Sequence, residues 1–137
     1  MKKFCLAFLI AASMTTVCSC KGGNPNEPND SHMQPFETEF NFGTVDNGAG
    51  FEYHDFLFRN DGKDPLVISK IDTYCHCTTV DYSQEPIKPG DVGVIKLRLD
   101  RGDVSTGFFS RDIDVYYNGK GSPVRLTVSG KKEEYKQ

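Results

Sequence analysis

The chain has 137 residues, 37% of them hydrophobic, and a formal charge of −3. That suits one domain of average polarity, and the acidic balance argues against nucleic acid or anionic lipid headgroups as partners. No run is long enough to span a membrane as a mature helix.

The N-terminus, MKKFCLAFLIAASMTTVCSC, places two lysines before an apolar stretch of about fourteen residues, the length of a secretory signal core. The stretch ends in Val17-Cys18-Ser19-Cys20, which resembles the lipobox of bacterial lipoproteins. An aliphatic residue stands at −3, a small residue at −1, and Cys20 is in the position that is lipidated. An ordinary cleaved signal with incidental cysteines is the alternative, but charge, apolar run, motif and following linker all agree with lipidation. Two or three acyl chains at Cys20 would anchor the protein stably, at about 0.8 kcal/mol per buried methylene. Cleavage of residues 1–19 removes two lysines and no acid, which moves the charge from −3 to −5. Of the five cysteines, it leaves Cys20 for lipid and Cys75 and Cys77 in the folded part.

Residues 20–35 are rich in Gly, Asn and Pro and read as a lipidated cysteine followed by a flexible tether. From Phe36 the hydrophobic period becomes two. FETEFNF sets Phe36, Phe40 and Phe42 on one face, and YHDFLFRN pairs Phe56 with Phe58 before Asn60-Asp61-Gly62 ends the run. PLVISKI pairs Leu66 with Ile68, and GVIKLRL sets Ile95, Leu97 and Leu99 against Lys96 and Arg98. RDIDVYYN sets Ile113, Val115 and Tyr117 against Asp112, Asp114 and Tyr116, which predicts a solvated face for the two aspartates. VRLTV closes with Val124, Leu126 and Val128, and residues 132–137 form a charged tail. Turn formers such as Asn47-Gly48, Pro89-Gly90-Asp91 and Asn118-Gly119 separate the runs, and no helical stripe persists. About seven alternating strands predict an all-β, immunoglobulin-like antiparallel β-sandwich over residues 36–131. With no tryptophan and two cysteines only two positions apart, an antibody-like inter-sheet disulfide is excluded.

These pieces together resemble the bacterial family called domain of unknown function 1573, an immunoglobulin-like sandwich related to ASH/Hydin domains. The resemblance is carried by Phe42-Gly43-Thr44-Val45 with Gly48, by Phe56, Phe58 and Asn60-Asp61-Gly62, and by Pro65-Leu66-Val67-Ile68. It continues through Cys75-His76-Cys77-Thr78, Ile87-Lys88-Pro89-Gly90, Gly107-Phe108-Phe109 and Leu126-Thr127-Val128-Ser129-Gly130. It implies a short lipoprotein of Bacteroidetes type with no established activity. The family usually has glycine between the cysteines. If that glycine serves a positive φ, His76 is expected to be strained.

Two side-chain groups are candidate sites. Cys75, His76 and Cys77 would be structural cysteines, a redox-responsive pair, or a soft-metal site for Cu(I). In a flat strand, i and i+2 lie too far apart for a bridge and His76 points the other way, so the sharper readings require a bend. Arg101-Gly102-Asp103 is an RGD tripeptide at a strand exit, where a loop could present it for adhesion. No nucleophile–base pair, phosphate loop or catalytic carboxylate pair is visible. The sequence therefore reads as a monomeric, non-catalytic binding or scaffolding module. It is expected to be held by its N-terminal lipid in the bacterial envelope, at the outer membrane, with an envelope protein or glycan as partner. The alternative is a redox or copper-binding protein using the Cys-His-Cys motif.

Overall fold

The computed structural model describes residues 29–135, so the signal segment, Cys20 and most of the tether lie outside the described residues. Eight strands follow in order: β1 (Met33–Pro35), β2 (Glu39–Val45), β3 (Phe51–Asn60), β4 (Ile68–Thr73), β5 (Thr78–Tyr82), β6 (Val92–Asp100), β7 (Gly107–Tyr117) and β8 (Val124–Lys132). They form a front sheet in the order β1–β3–β6–β5 and a back sheet in the order β2–β8–β7–β4. All pairings are antiparallel except one, since β2 runs parallel to β8. The immunoglobulin-like sandwich expected from the alternation is what forms.

The core lies between the sheets, where the apolar parity of each long strand points. Phe56 and Phe58 of β3 meet Ile95, Leu97 and Leu99 of β6 on one side, and Ile68, Ile113, Val115, Leu126 and Val128 close it from the other. Each fully buried side chain of this size adds about 1.5–3 kcal/mol, so the alternation itself drives the two sheets together.

Polar residues on the inward parity tie the ends of this core. Asn60, the last residue of β3, is fully buried. Its amide donates to the Asp64 and Ile87 carbonyls at 2.8 and 2.9 Å, and its side-chain oxygen accepts from Gly62 N at 3.0 Å. Two turns and a strand end thus share one side chain. At the opposite end Lys132 is buried, and its ammonium donates to the carbonyls of Arg101 and Val104 at 2.6 and 2.9 Å.

The boundaries expected from composition need correcting. Residues 33–35 are not tether but β1, in register with Phe58–Asn60, and Met33 is buried in the core. Ser31 is buried too, donating from its hydroxyl to Asn118 at 2.9 Å. The segment passes so close to Gly62 and Gly119 that a Cβ at either would collide with the backbone of residues 30–31. Polar composition masked this segment because its anchors are backbone contacts and one methionine. Lys132 likewise belongs to β8, not to the charged tail. Phe36 does not share a face with Phe40 and Phe42: the chain crosses from the front to the back sheet between β1 and β2, leaving Phe36 exposed.

Candidate functional site

The Cys-His-Cys turn joins β4, an edge of the back sheet, to β5, an edge of the front sheet. The chain must bend here to change sheets, and Thr78 N donates to the Cys75 carbonyl at 3.2 Å to close the turn. Bending brings the cysteine Cα atoms to 5.2 Å, and the two sulfurs form a disulfide. The separation falls within the ordinary range for a bridge, and the bend draws the Cβ atoms closer than a flat strand would hold them. Among the described residues no non-glycine has a positive φ, so His76 occupies an ordinary backbone conformation. The strain expected from its replacing a glycine is absent. Its side chain is exposed at the tip of the turn.

Cys77 is 1% exposed and belongs to the core cluster, whereas Cys75 is only partly covered. The Cys77 carbonyl accepts from Asp100 N at 2.7 Å, which fixes the turn to the end of β6. Arg111 of β7 lies against the bridge, its Nε donating to Cys77 Sγ at 3.3 Å. Its Nη1 donates to the Ser110 carbonyl at 2.8 Å, which holds the guanidinium in place. Cys75 Sγ accepts from Cys77 N at 3.1 Å. A shallow cleft of about 820 Å³ opens over the bridge, walled by Tyr74, His76, Asp103, Arg111 and Asp112.

Beside the cleft, Asp114 is buried, correcting the solvated face expected for the two aspartates. Arg125 grips it with two hydrogen bonds at 2.7 and 2.9 Å, and the Tyr74 hydroxyl donates to it at 2.6 Å. The Arg125 bonds, then the Tyr74 bond, hold its carboxyl down to about 2, while the carboxylate in turn pushes the Tyr74 hydroxyl up. This clamp fixes the residue immediately before Cys75. Asp112 accepts from the Thr127 hydroxyl at 2.9 Å.

The RGD tripeptide is a short 3-10 helix rather than a presenting loop. Arg101 turns its guanidinium onto Glu52 at 3.6 Å and donates to the Ala49 carbonyl at 3.2 Å, passing over Gly50. Asp103 faces the cysteine cleft instead. An adhesion receptor needs both charges projecting together, and here the arginine is folded back. No group of three or more His, Cys, Asp and Glu side chains among the described residues is placed to hold a metal ion. His54, the remaining histidine of the strands, stacks on Phe40 and bonds Glu37 at 2.8 Å.

Arg111 is the residue that sequence reading missed. It stands at an inward position of β7, between Phe109 and Ile113, where a charge must have a specific partner. That parity was the available signal.

The family described as protein of unknown function (DUF1573) matches residues 33–132. The chain belongs to this family. Its fold is similar to that of a protein of unknown function from Porphyromonas gingivalis W83, with TM-score 0.65 and 20% identity. That match covers 76% of this chain and 48% of the other, so the chain spans about half the length of the Porphyromonas protein. It is also similar to the ASH/PapD-like domain of human CEP192, with TM-score 0.62, 11% identity, and coverage of 98% and 100%. Part of the Vibrio cholerae VesB protease has a similar fold, with TM-score 0.55 and 12% identity over 77% of this chain and 32% of that one. At these identities the likeness concerns the fold alone. No curated protein matches the chain in sequence.

A bridge between residues two apart does little for the fold. Closing a three-residue loop removes chain entropy equivalent to about 1.6 kcal/mol, against about 3 for a fifteen-residue loop. The bridge ties no distant segments together.

Proposed function

We propose that this protein is a non-catalytic, lipid-anchored module of the bacterial envelope that binds a protein partner through the outward face of its front sheet. One observation carries the reading. On that face Phe51 and Tyr53 at one end of β3, and Leu57 with Val92 of β6 at the other, are 44%, 67%, 43% and 48% exposed. Phe36 extends the surface, and arginines lie over its rings, Arg98 at 4.7 Å from Phe51 and Arg59 at 5.8 Å from Phe36. Exposed aromatic and aliphatic groups interleaved with arginine are the composition of a protein-binding surface rather than of ordinary sheet exterior. Lys96 is in register with Asp55 and Asp81, so the face is mixed in charge and a partner with an apolar centre and a mixed polar rim fits best.

The signal and lipobox residues supply the anchor. Eight residues separate Cys20 from the described sandwich, so the domain can stand at most about 28 Å from a lipid surface. On this reading the protein is an outer-membrane lipoprotein working close to its membrane.

A photo-crosslinking side chain installed in place of Tyr53 in cells should give one adduct of fixed mass, lost on Leu57→Glu. The same probe at Thr127, on the other sheet, should give none. Adducts of equal yield from both sheets, or capture of glycan only, would reject the reading. A fatty-acid label should enter the protein and be lost with Cys20→Ala.

A further inference from the structure

We propose that Cys75 and Cys77 form a thiol–disulfide exchange site that takes two electrons from a dithiol. Three observations converge on the bridge. It contributes little as a staple, it opens onto a cleft, and an inward-facing arginine touches one of its sulfurs. The sulfurs are unlike. Cys75 borders the cleft over the bridge and a second hollow beside His76, Thr78 and Thr79, so it is reachable from two sides. Cys77 lies at the floor of the first cleft only and is 1% exposed, with Arg111 Nε at 3.3 Å and the Thr78 hydroxyl at 3.6 Å.

This asymmetry sets the order of events. A thiolate of the dithiol attacks Cys75 Sγ, a bond forms between those two sulfurs, and the Cys75–Cys77 bond breaks. Its electron pair leaves on Cys77 Sγ as a thiolate, and the Arg111 guanidinium faces that charge. The second thiolate of the donor then attacks the donor's own sulfur in the mixed disulfide. This forms the donor disulfide and expels Cys75 as a thiolate, toward which the Cys77 N–H points at 3.1 Å. The two protons lost by the donor are taken up by the two cysteine sulfurs. The dithiol is oxidised by two electrons and the bridge is reduced by two. A leaving thiolate stabilised by a neighbouring cation departs faster.

The charged and titratable groups facing the bridge are Arg111 and Asp112 from β7, Asp103 from the 3-10 helix, and Tyr74 and His76 from its own turn. Of these only Arg111 touches sulfur.

The test uses full-length protein in detergent with dithiothreitol as the dithiol, free thiols being counted by maleimide mass shift. Opening should be complete and, once dithiothreitol is removed, reversed by oxidised glutathione. Arg111→Met should slow it by about threefold to tenfold and Arg111→Lys should recover most of the rate. Given oxidised glutathione as the oxidant, a Cys77→Ser chain should form a mixed disulfide at Cys75, one glutathione thiolate leaving. In a Cys75→Ser chain, Cys77 should alkylate with a half-point below the ordinary thiol value of about 8.5. That last measurement keeps Arg111 in place and decides the matter should Arg111→Met fail to fold. Opening unchanged within twofold in Arg111→Met, or a Cys77 half-point at or above the ordinary value, would overturn the proposal. So would a bridge that resists dithiothreitol until the protein unfolds.

Discussion

Replacing Asn60 tests whether the sandwich depends on one buried amide. In Asn60→Ala the Asp64 and Ile87 carbonyls and the Gly62 N–H lose their partner in a position sealed from solvent. At about 1 kcal/mol for each of three bonds, the loss is about 3 kcal/mol. For a domain of this size that lowers the melting temperature by roughly 12–24 °C. Asn60→Asp discriminates further. It keeps the oxygen that accepts from Gly62 but turns a second oxygen toward two carbonyls, so the carboxylate is both buried and repelled. Its folded-state pKa must rise, so its penalty grows as pH climbs through about 4. At neutral pH the order of stability should therefore be wild type, then Asn60→Ala, then Asn60→Asp, with the last two converging in acid. Urea unfolding followed by circular dichroism at pH 7 and pH 3.5 reads this directly. An alanine variant within 1 kcal/mol of wild type, or an aspartate variant as stable as wild type at pH 7, would refute the reasoning.

Three other outcomes are expected. Lys132→Met leaves the carbonyls of Arg101 and Val104 without their donor and should cost about 2 kcal/mol in denaturant titration, with faster proteolysis around the 3-10 helix. Asp114 has its carboxyl held at about 2, below the ordinary 3.8, so its contribution is full above pH 4 and is lost as pH falls toward 2. The melting temperature of wild type should accordingly fall more steeply over that interval than that of Asp114→Asn, as scanning calorimetry would show. Gly119→Ala should push residues 30–31 off the sandwich and free β1, exposing the His32 and Phe36 amides to hydrogen exchange while the β6 and β7 amides stay protected.

The sandwich was legible because β3, β6, β7 and β8 alternate through most of their length, and sustained alternation has one stable outcome when both sheets must bury one face. The same parity, read more closely, also marks the exceptions. Asn60, Arg111 and Lys132 all stand where an apolar residue is due, and each meets a specific polar partner. What parity does not reveal is the partner. Asp114 is on the outward parity and is buried all the same, because Tyr74 and Arg125, distant in sequence, fold over it.

Local pattern, then, determined the strands, the shared apolar interior and the signal-like leader, since each depends on neighbours along the chain. Tertiary structure alone decided three further matters: that β1 begins within a polar segment, that the RGD arginine folds back, and that the two cysteines meet. Each turns on where the chain crosses between sheets. A crossing brings together groups whose separation along the backbone says nothing about their distance in space.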